Sequence, residues 1–281
     1  MSGTLFVVAT PIGNLEDITL RALRVLREAG LIAAEDTRRT AKLLAHYSIP
    51  TPTISFHEHN SRTRIPLLLA RLSAGVDVAL VSDAGTPGIA DPGVALVRAC
   101  LHAGVPVDPI PGPSAPLTAA IASGFSLDRL TIMGFCPRRS KDRISWISEV
   151  NKILWTVVFF ETPRRIRKTL VDISEYSVDR PICVTRELTK VHQEVSFAHV
   201  NDKLFGHTTN EKGEFTVVLG PVDDIAVTER VPSDIEIYES FCLETKNSPN
   251  RKSAISSVAN KYCLATKLVY SAVERHRAKI Q

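Results

Sequence analysis

Short apolar runs alternate with amphipathic segments over the first 110 residues of this 281-residue chain. Four of the apolar runs have the length of buried parallel strands: residues 5–9, 31–34, 76–81 and 105–110. Helical periodicity lies between them, at residues 17–29, 60–72 and 94–103. In the first helix we expect Asp17 as the N-cap and Leu20, Leu23 and Leu26 as the apolar stripe. This alternation predicts a mostly parallel sheet with helices on both faces.

The pattern changes twice further along the chain. A helix of small residues at 114–123 is followed by strand-like runs at 130–135, 153–160, 182–186, 194–197 and 215–219, with one helix at 164–174. These predict a second α/β domain with antiparallel or mixed strands. After Gly220 and Pro221 the pattern is helical only, and residues 251–262 and 266–279 are typical of a helix-turn-helix. We therefore expect three domains, at 1–113, 114–224 and 225–281.

Composition and charge restrict the classes of protein to which this chain can belong. Hydrophobic residues make up 44% of the chain and charged residues 23%, and no apolar run reaches the length of a membrane-spanning helix. The five cysteines are widely spaced and form no CxxC pair, which favours a reduced cytoplasmic protein without structural zinc. The net charge of +4 is uneven, because eight basic residues and one acidic residue lie between 246 and 281. Such a basic end favours a polyanionic partner, although a solvated helix surface explains it equally simply.

The segment at residues 82–93, SDAGTPGIADPG, has the most unusual composition in the chain. It follows a predicted strand, and ligands of open α/β sheets bind beyond the carboxyl ends of strands. For residues 83–87 we favour a ligand-binding loop, because glycines allow close approach to the backbone. For residues 91–93 we favour a tight turn with Pro92 at the first helical position. The loops starting at residues 10, 35 and 111 follow the other strands, so the four together predict a crevice.

Nucleotide-binding motifs are absent from these loops. The first loop contains one glycine, Gly13, where a dinucleotide site needs GxGxxG, and no GxxxxGK[ST] phosphate loop occurs.

Eight motifs carry a family resemblance. They are TPIGNLED at 10–17, AEDTR at 34–38, SDAGTP at 82–87, PGPSA at 111–115, GFCP at 134–137, FETPRR at 160–165, RELTK at 186–190 and KGEF at 212–215. Together they resemble the tetrapyrrole-methylase-like superfamily. Within it, the chain is most similar to the enzymes that use S-adenosylmethionine to methylate a cytidine ribose 2′-hydroxyl in 16S ribosomal RNA of the small ribosomal subunit.

The resemblance implies a two-domain fold with S-adenosylmethionine in the cleft, and these folds commonly form homodimers. It places ten residues at the cofactor: Ile12, Asp83, Gly85, Thr86, Ile89, Ser114, Ala115, Phe160, Gly213 and Glu214. Backbone amides freed by glycine suit the cofactor carboxylate, and nearby acids suit its ammonium group.

A ribose hydroxyl is a poor nucleophile at neutral pH, so a proton acceptor or a cation should assist the transfer. Our candidates are Glu187 and Lys190, with Glu161 behind them. A salt bridge from Glu187 to Arg186 or Arg164 is the structural alternative.

Seven residues are candidates for RNA contact: Arg38, His57, His59, Arg138, Arg139, Lys141 and Arg164. Basic clusters at 138–143 and 164–168 could bind phosphates. His57 and His59 also fit a metal site by spacing, but no third ligand with suitable spacing is visible, so we expect no metal. Two other functions stay open: a porphyrinoid C-methyltransferase of the same superfamily, and a non-catalytic ribosome-binding factor.

Overall fold

The computed structural model describes residues 2–200, 202, 212–222, 234–247, 251–261 and 266–280. The chain forms two compact units, Met1–Val222 and Asp223–Gln281. The two α/β sheets lie in the first unit and a group of helices in the second. The predicted division of the α/β part at residue 113, and the boundary at 224, stay predictions.

The first sheet has five strands in the order β3-β2-β4-β1-β5, and every neighbouring pair is parallel. Its strands are β1 (Leu5–Val8), β2 (Leu31–Ala34), β3 (Thr53–Ser55), β4 (Val78–Val81) and β5 (Val107–Ile110). The predicted parallel sheet is confirmed. All four residues of β4 are buried, as expected for a central strand covered on both faces.

Helices cover both faces of this sheet. They are α1 (Leu20–Glu28), α2 (Thr37–His46), α3 (Ser61–Ser73) and α4 (Val94–His102). Leu26 of α1 and Leu43 of α2 pack with Val8 and Val81 in one core cluster. Leu68 of α3 and Leu96 of α4 belong to a second cluster, together with strand residues whose side chains point to the opposite face of the sheet. The strands are therefore apolar at successive positions, because each face is buried by its own pair of helices.

Several predicted boundaries are wrong. Helix α1 is capped by Thr19, whose side chain accepts from the Ala22 amide, whereas Asp17 belongs to a preceding 3-10 turn. Leu20 is 86% exposed and lies outside the apolar stripe. Helix α4 begins at Val94, after Gly93 with a φ of +152°, and not at Pro92. Helix α2 and strand β3 were not predicted, since α2 starts within a motif that we assigned to a loop.

The second sheet is mixed, as predicted, with the order β6-β7-β10-β8-β9. Strands β6 (Leu130–Phe135) and β7 (Thr156–Glu161) are parallel. The remaining pairs are antiparallel and involve β8 (Pro181–Arg186), β9 (Glu194–His199) and β10 (Phe215–Leu219). Helix α5 (Ala115–Ser123) packs on one face through Ala119 and Ala120.

Helices α6 (Ser140–Val150) and α7 (Ile166–Tyr176) cover the other face of the second sheet. They are joined by a buried ion pair between Arg143 and Asp172. Helix α6 was not predicted. Because Arg143 lies in this helix and points into the protein, the prediction that the whole basic cluster at 138–143 contacts RNA is wrong for Arg143. Arg138, Arg139 and Lys141 are exposed.

The second unit consists, in its described part, of α8 (Asp234–Asn247), α9 (Arg251–Lys261) and α10 (Thr266–Ile280). These helices bury their own apolar cluster, which includes Ile237, Phe241, Val258 and Val269. The connection that would complete a helix-turn-helix, at residues 262–265, lies outside the described residues. Among the described residues no helix is both long and apolar enough to cross a membrane.

Candidate functional site

A cavity of about 450 Å³ lies between the two sheets of the first unit. Its walls come from the loops after β1, β2, β4 and β5, from the end of β7 and from the start of β10. The predicted crevice at the carboxyl ends of the strands therefore exists. Nine of the ten residues predicted at the cofactor line it: Ile12, Asp83, Gly85, Thr86, Ile89, Ser114, Ala115, Phe160 and Glu214. Gly213 does not line it, and the contacts of all ten stay predictions.

The loop at residues 82–93 is held against the loop after β1. Thr10 and Gly85 exchange two backbone hydrogen bonds, each 2.9 Å long. Gly85 has a φ of +77°, in the left-handed region that favours glycine. Thr86 Oγ1 donates to the Pro113 carbonyl at 3.1 Å, which ties the same loop to the segment before α5. These bonds hold three of the four rim loops in one arrangement.

Three of the carboxylates that line this cavity interact with one another: Glu35 after β2, and Asp83 and Asp91 in the loop after β4. The Asp83 amide donates to Glu35 Oε2 at 3.1 Å, and the Asp36 amide donates to Asp83 Oδ1 at 3.0 Å. Arg39 Nη1 lies 3.5 Å from Asp83 Oδ2. The ends of β2 and β4 are therefore joined through their acidic side chains.

The two acids that sequence reasoning missed at this site are Glu35 and Asp91. Burial raises the pKa of Glu35, and the charge of Asp83 adds to that effect. Burial and the Glu35 charge raise the pKa of Asp91 to about 6. Glu35 follows a parallel strand directly, a signal that could have been used. Asp91 had been assigned to a turn before α4, and its approach to the cavity depends on Ala90, which adopts a φ of +64°.

Ser114 lies at the N-terminus of α5 and lines the cavity. The residue is only 7% exposed, and its hydroxyl has no hydrogen-bond partner among the described residues. A buried hydroxyl without a partner is costly unless a ligand or water satisfies it. The helix N-terminus behind it favours a negatively charged group. Ser114 is thus well placed to bind the anionic part of a ligand.

Two aromatic rings form another part of the cavity wall. Phe135, at the end of β6, and Phe160, in β7, have ring centroids 5.4 Å apart. Phe135 was missed by sequence reasoning, because an apolar residue at a strand end usually belongs to the core.

Glu187 and Lys190 lie beside the cavity but are not among its lining residues. Lys190 Nζ donates to Glu187 Oε1 at 2.9 Å and to Glu214 Oε2 at 3.0 Å. The Glu214 amide also donates to Glu187 Oε1, at 2.9 Å. Burial alone would raise the pKa of Glu187, but the bonds from Lys190 and the Glu214 amide outweigh it and lower that pKa. The salt-bridge partner of Glu187 is thus Lys190, and not Arg186 or Arg164 as in our structural alternative.

The turn that carries Glu187 is strained. Glu187 and Thr189 have φ angles of +50° and +66°, which non-glycine residues rarely adopt. Between them, Leu188 points into the cavity wall. The ion pairs of Glu187 and Lys190 hold this turn, so the two residues determine where Leu188 and Glu214 meet the cavity.

Glu161 ends β7 with a side chain that is 0% exposed. Its carboxylate accepts from the Thr162 amide, from Thr169 Oγ1 and from Arg165 Nη2, each at 2.6 Å. All of these donors come from α7 or the segment before it. This geometry suits an anchor between β7 and α7 better than a group that exchanges protons with a ligand.

The predicted RNA residues lie in two places. Arg138, Arg139, Lys141 and Arg164 are exposed on the segments that follow β6 and β7. Arg165 Nη1 donates to the Cys136 carbonyl at 3.1 Å and so joins these two segments. Because Thr162 and Pro163 line the cavity, the basic segments border it.

The second place is near Glu35. Arg38 has a side chain that is 88% exposed and pairs with Asp36 at 2.7 Å. The ring of His57 lies 6.0 Å from that of the exposed His59. His57 Nδ1 is buried without a partner among the described residues. Within the described part of the chain, no group of three or more metal-ligating side chains occurs.

Comparison with known proteins places the chain in a family. Residues 4–202 match the model of the Tetrapyrrole (Corrin/Porphyrin) Methylases. The "Ribosomal RNA small subunit methyltransferase I" of Thermotoga maritima is 48% identical over 77% of this chain and 98% of its own length. The protein of the same name from Streptococcus pyogenes is 38% identical over 93% of this chain and 91% of its own.

Solved structures show the same fold at lower identity. Uroporphyrin-III C-methyl transferase from Thermus thermophilus, complexed with S-adenyl homocysteine, has a TM-score of 0.56 at 19% identity and covers 79% of this chain and 100% of its own. A cobalt precorrin-4 methyltransferase has a TM-score of 0.57 at 17% identity, covering 77% and 94%. The predicted α/β fold, with a parallel sheet, a mixed sheet and an added helical module, is confirmed. The chain belongs to the tetrapyrrole methylase family, within its group of ribosomal RNA small subunit methyltransferases I.

Proposed function

We propose that this protein is a cytoplasmic methyltransferase that uses S-adenosylmethionine to methylate a cytidine ribose 2′-hydroxyl in 16S ribosomal RNA. Membership of the family supports methylation of small-subunit ribosomal RNA. One observation carries the proposal furthest: an acid-lined cavity borders an exposed basic segment within the same unit. The acids suit a cationic cofactor, and the basic segment suits a polyanionic substrate.

The cavity residues fit S-adenosylmethionine. Its carboxylate is matched by Ser114 Oγ, which lacks a partner among the described residues, and by the N-terminus of α5. Its ammonium and sulfonium groups are matched by Asp83 and the neighbouring acids. Phe160 and Glu214, from the second sheet, would close the adenosine side.

When bound, the cofactor supplies a methyl group already activated by the sulfonium, so this chain has to align the acceptor and take up its proton. Glu35 is the group best placed for the proton, because it lines the cavity with a raised pKa. Glu187 and Lys190 act as positioning residues that hold Leu188 and Glu214 in the wall. Glu161 supports the same wall from behind.

The RNA would cross the mouth of the cavity. Arg138, Arg139, Lys141 and Arg164 would contact phosphates along the second sheet, while Arg38, His57 and His59 would contact the nucleotide near Glu35. Phosphate contacts of this kind supply much of the affinity for RNA and weaken with salt. The assembled small subunit as substrate and a homodimer as the active form are part of the proposal.

A methyl-transfer assay tests the function. The protein is incubated with methyl-labelled S-adenosylmethionine and, separately, with small subunits, naked 16S RNA or uroporphyrinogen III. We expect label in RNA only, at a cytidine whose ribose resists alkaline cleavage. Label in the tetrapyrrole would instead support the C-methyltransferase, and cofactor binding without transfer to any acceptor would support a non-catalytic factor.

Three variants sharpen this assay. Replacing Arg138, Arg139 and Lys141 together by Ala should raise the KM for RNA at an unchanged cofactor Kd. Arg24→Ala, at an exposed ion pair of α1, is the matched control and should leave both constants unchanged. Glu35→Gln should lower kcat at an RNA KM close to that of the wild-type protein.

A further inference from the structure

The carboxylates of the cavity outnumber the cations that face them. Glu161 is paired with Arg165, and Glu214 is paired with Lys190. Glu35, Asp83 and Asp91 are left with Arg39 as the one basic residue that lines the cavity among the described residues. This group, here termed the acid cluster, is therefore net negative when its three members are ionised.

The charge of Asp91, a member of the acid cluster, varies near neutral pH, because its pKa is raised to about 6. Its carboxylate interacts with Glu35, which follows β2, with Asp83, which follows β4, and with the hydroxyl of Ser82. Burial comes first among the causes that raise its pKa to about 6, followed by the charge of Glu35, while Ser82 lowers it. Arg39 and His57 interact with Glu35, and both favour the ionised form of that carboxylate.

We propose that the acid cluster makes the cavity selective for charge, so that it retains the cationic cofactor S-adenosylmethionine and releases the product S-adenosylhomocysteine. This inference rests on the proposed function. A second observation at the same cavity also indicates a ligand, since the buried Ser114 hydroxyl has no partner among the described residues.

Methyl transfer changes the charge of the ligand, so a cavity that is selective for charge distinguishes the cofactor from the product. The S–CH₃ bond breaks as the oxygen–carbon bond forms, and the electron pair left on sulfur turns a sulfonium into a neutral thioether. The product therefore carries one positive charge less than the cofactor, while the rest of the molecule is the same. The attraction of the acid cluster for the sulfonium ends with the reaction, and exchange of product for new cofactor becomes favourable.

Proton linkage gives a specific signature. A cation in the cavity stabilises ionised Asp91, so cofactor binding near pH 6 should release protons. The product keeps the ammonium group but lacks the sulfonium, so it should release fewer protons. Below the pKa of Asp91 the cluster loses a negative charge, and the affinity for the cofactor should fall more than the affinity for the product.

Calorimetry of the full chain with S-adenosylmethionine and with S-adenosylhomocysteine tests the proposal. We expect the affinity ratio of cofactor to product to fall about tenfold between pH 8 and pH 5, the effect of one charge at an intermediate dielectric constant. In Asp91→Asn the ratio should change much less with pH than in the wild-type protein. Asp17→Asn, at an exposed acid outside the cavity, is the control and should behave as the wild-type protein.

A second measurement needs no variant. Repeating the titrations near pH 6 in buffers of different ionisation enthalpy gives the number of protons released. Greater release with the cofactor than with the product supports the proposal, whereas equal release or equal pH dependence for both ligands overturns it. If neither ligand binds, the proposed function itself fails, and that outcome is distinct.

Discussion

Gly13 and Lys190 approach each other so closely that no side chain fits at position 13. A Cβ on Gly13 would lie 2.5 Å from Lys190 Cγ and 2.9 Å from the Leu188 carbonyl oxygen. The next residue, Asn14, donates its amide to Thr189 Oγ1 at 3.1 Å. The loop after β1 therefore rests directly on the strained turn of the second sheet.

Gly13→Ala should separate these two loops. The carbonyl of Leu188 is backbone and cannot move aside alone, so the turn must shift and take Leu188 away from the cavity wall. We expect cofactor binding to weaken roughly tenfold, because small displacements at a site are costly. Gly104→Ala is the control: its φ of +67° strains alanine, but nothing lies within 4 Å, so the protein loses stability at an unchanged Kd. Equal Kd values in both variants would show that the Gly13 contact has no role in the site.

Glu187→Gln separates a positioning role from a catalytic one. Glutamine keeps an oxygen for the Glu214 amide but loses the charge that pairs with Lys190. We expect the KM for the cofactor to rise several-fold with kcat within about twofold, and stability to fall by less than about 1 kcal/mol. Steady-state kinetics with small subunits gives both constants. A large loss of kcat at an unchanged cofactor Kd would instead assign proton transfer to Glu187.

Arg180 stabilises the second sheet from inside. It is 1% exposed and donates to the carbonyls of Gly220, Ile153 and Trp155 at 2.6, 3.0 and 2.7 Å. Arg180→Met would leave three buried carbonyls without these donors, so we expect the free energy of unfolding to fall by about 3 kcal/mol or more. Chemical denaturation measures this loss. Arg129→Met, at the cation–π contact with Trp155, is the control and should cost far less.

Asp91→Asn should stabilise the ligand-free protein at alkaline pH. The pKa of Asp91 is raised to about 6 in the folded state from an ordinary value of 3.8, so the folded protein binds its proton more tightly. Stability of the wild-type protein must then decrease as pH rises from about 4 to about 6. Asn mimics the protonated form, so its Tm should exceed that of the wild-type protein above pH 6. The difference should vanish near pH 4, and a constant difference would contradict the assignment.

Deletion of residues 223–281 tests the basic helices. The cavity is built from the first unit, and α8, α9 and α10 share a core of their own. Cutting at residue 246 would expose the apolar face of α8, so the boundary between the units is the better place. We expect cofactor affinity to survive, and the affinity for small subunits to fall with a flatter salt dependence. An unchanged salt slope would mean that the charge of this segment is only a solvated surface.

Local periodicity was enough to predict most strands and helices, the two kinds of sheet and the rim of loops at the carboxyl ends of the strands, but it did not predict α2, β3 and α6. Those properties follow from local periodicity and from turn residues, which act over a few positions. Asp17 and Pro92 were misplaced because several polar or rigid residues near a helix start can serve as its boundary, and the actual one depends on which side chain meets a free amide. Thr19 caps α1 for that reason, whereas Gly93 precedes α4 without a side-chain cap and adopts a φ of +152°, in the region that favours glycine.

Local sequence patterns could not show which charged residues share the cavity. Glu35, Asp83 and Asp91 come together because β2 and β4 are neighbours in the sheet, although Glu35 and Asp83 are 48 positions apart in the sequence. Arg143 and Glu161, which resemble surface and catalytic groups in the sequence, are buried against α7. Burial and charge pairing depend on which segments cross in space, and these long-range contacts set the pKa values and exposures on which function rests.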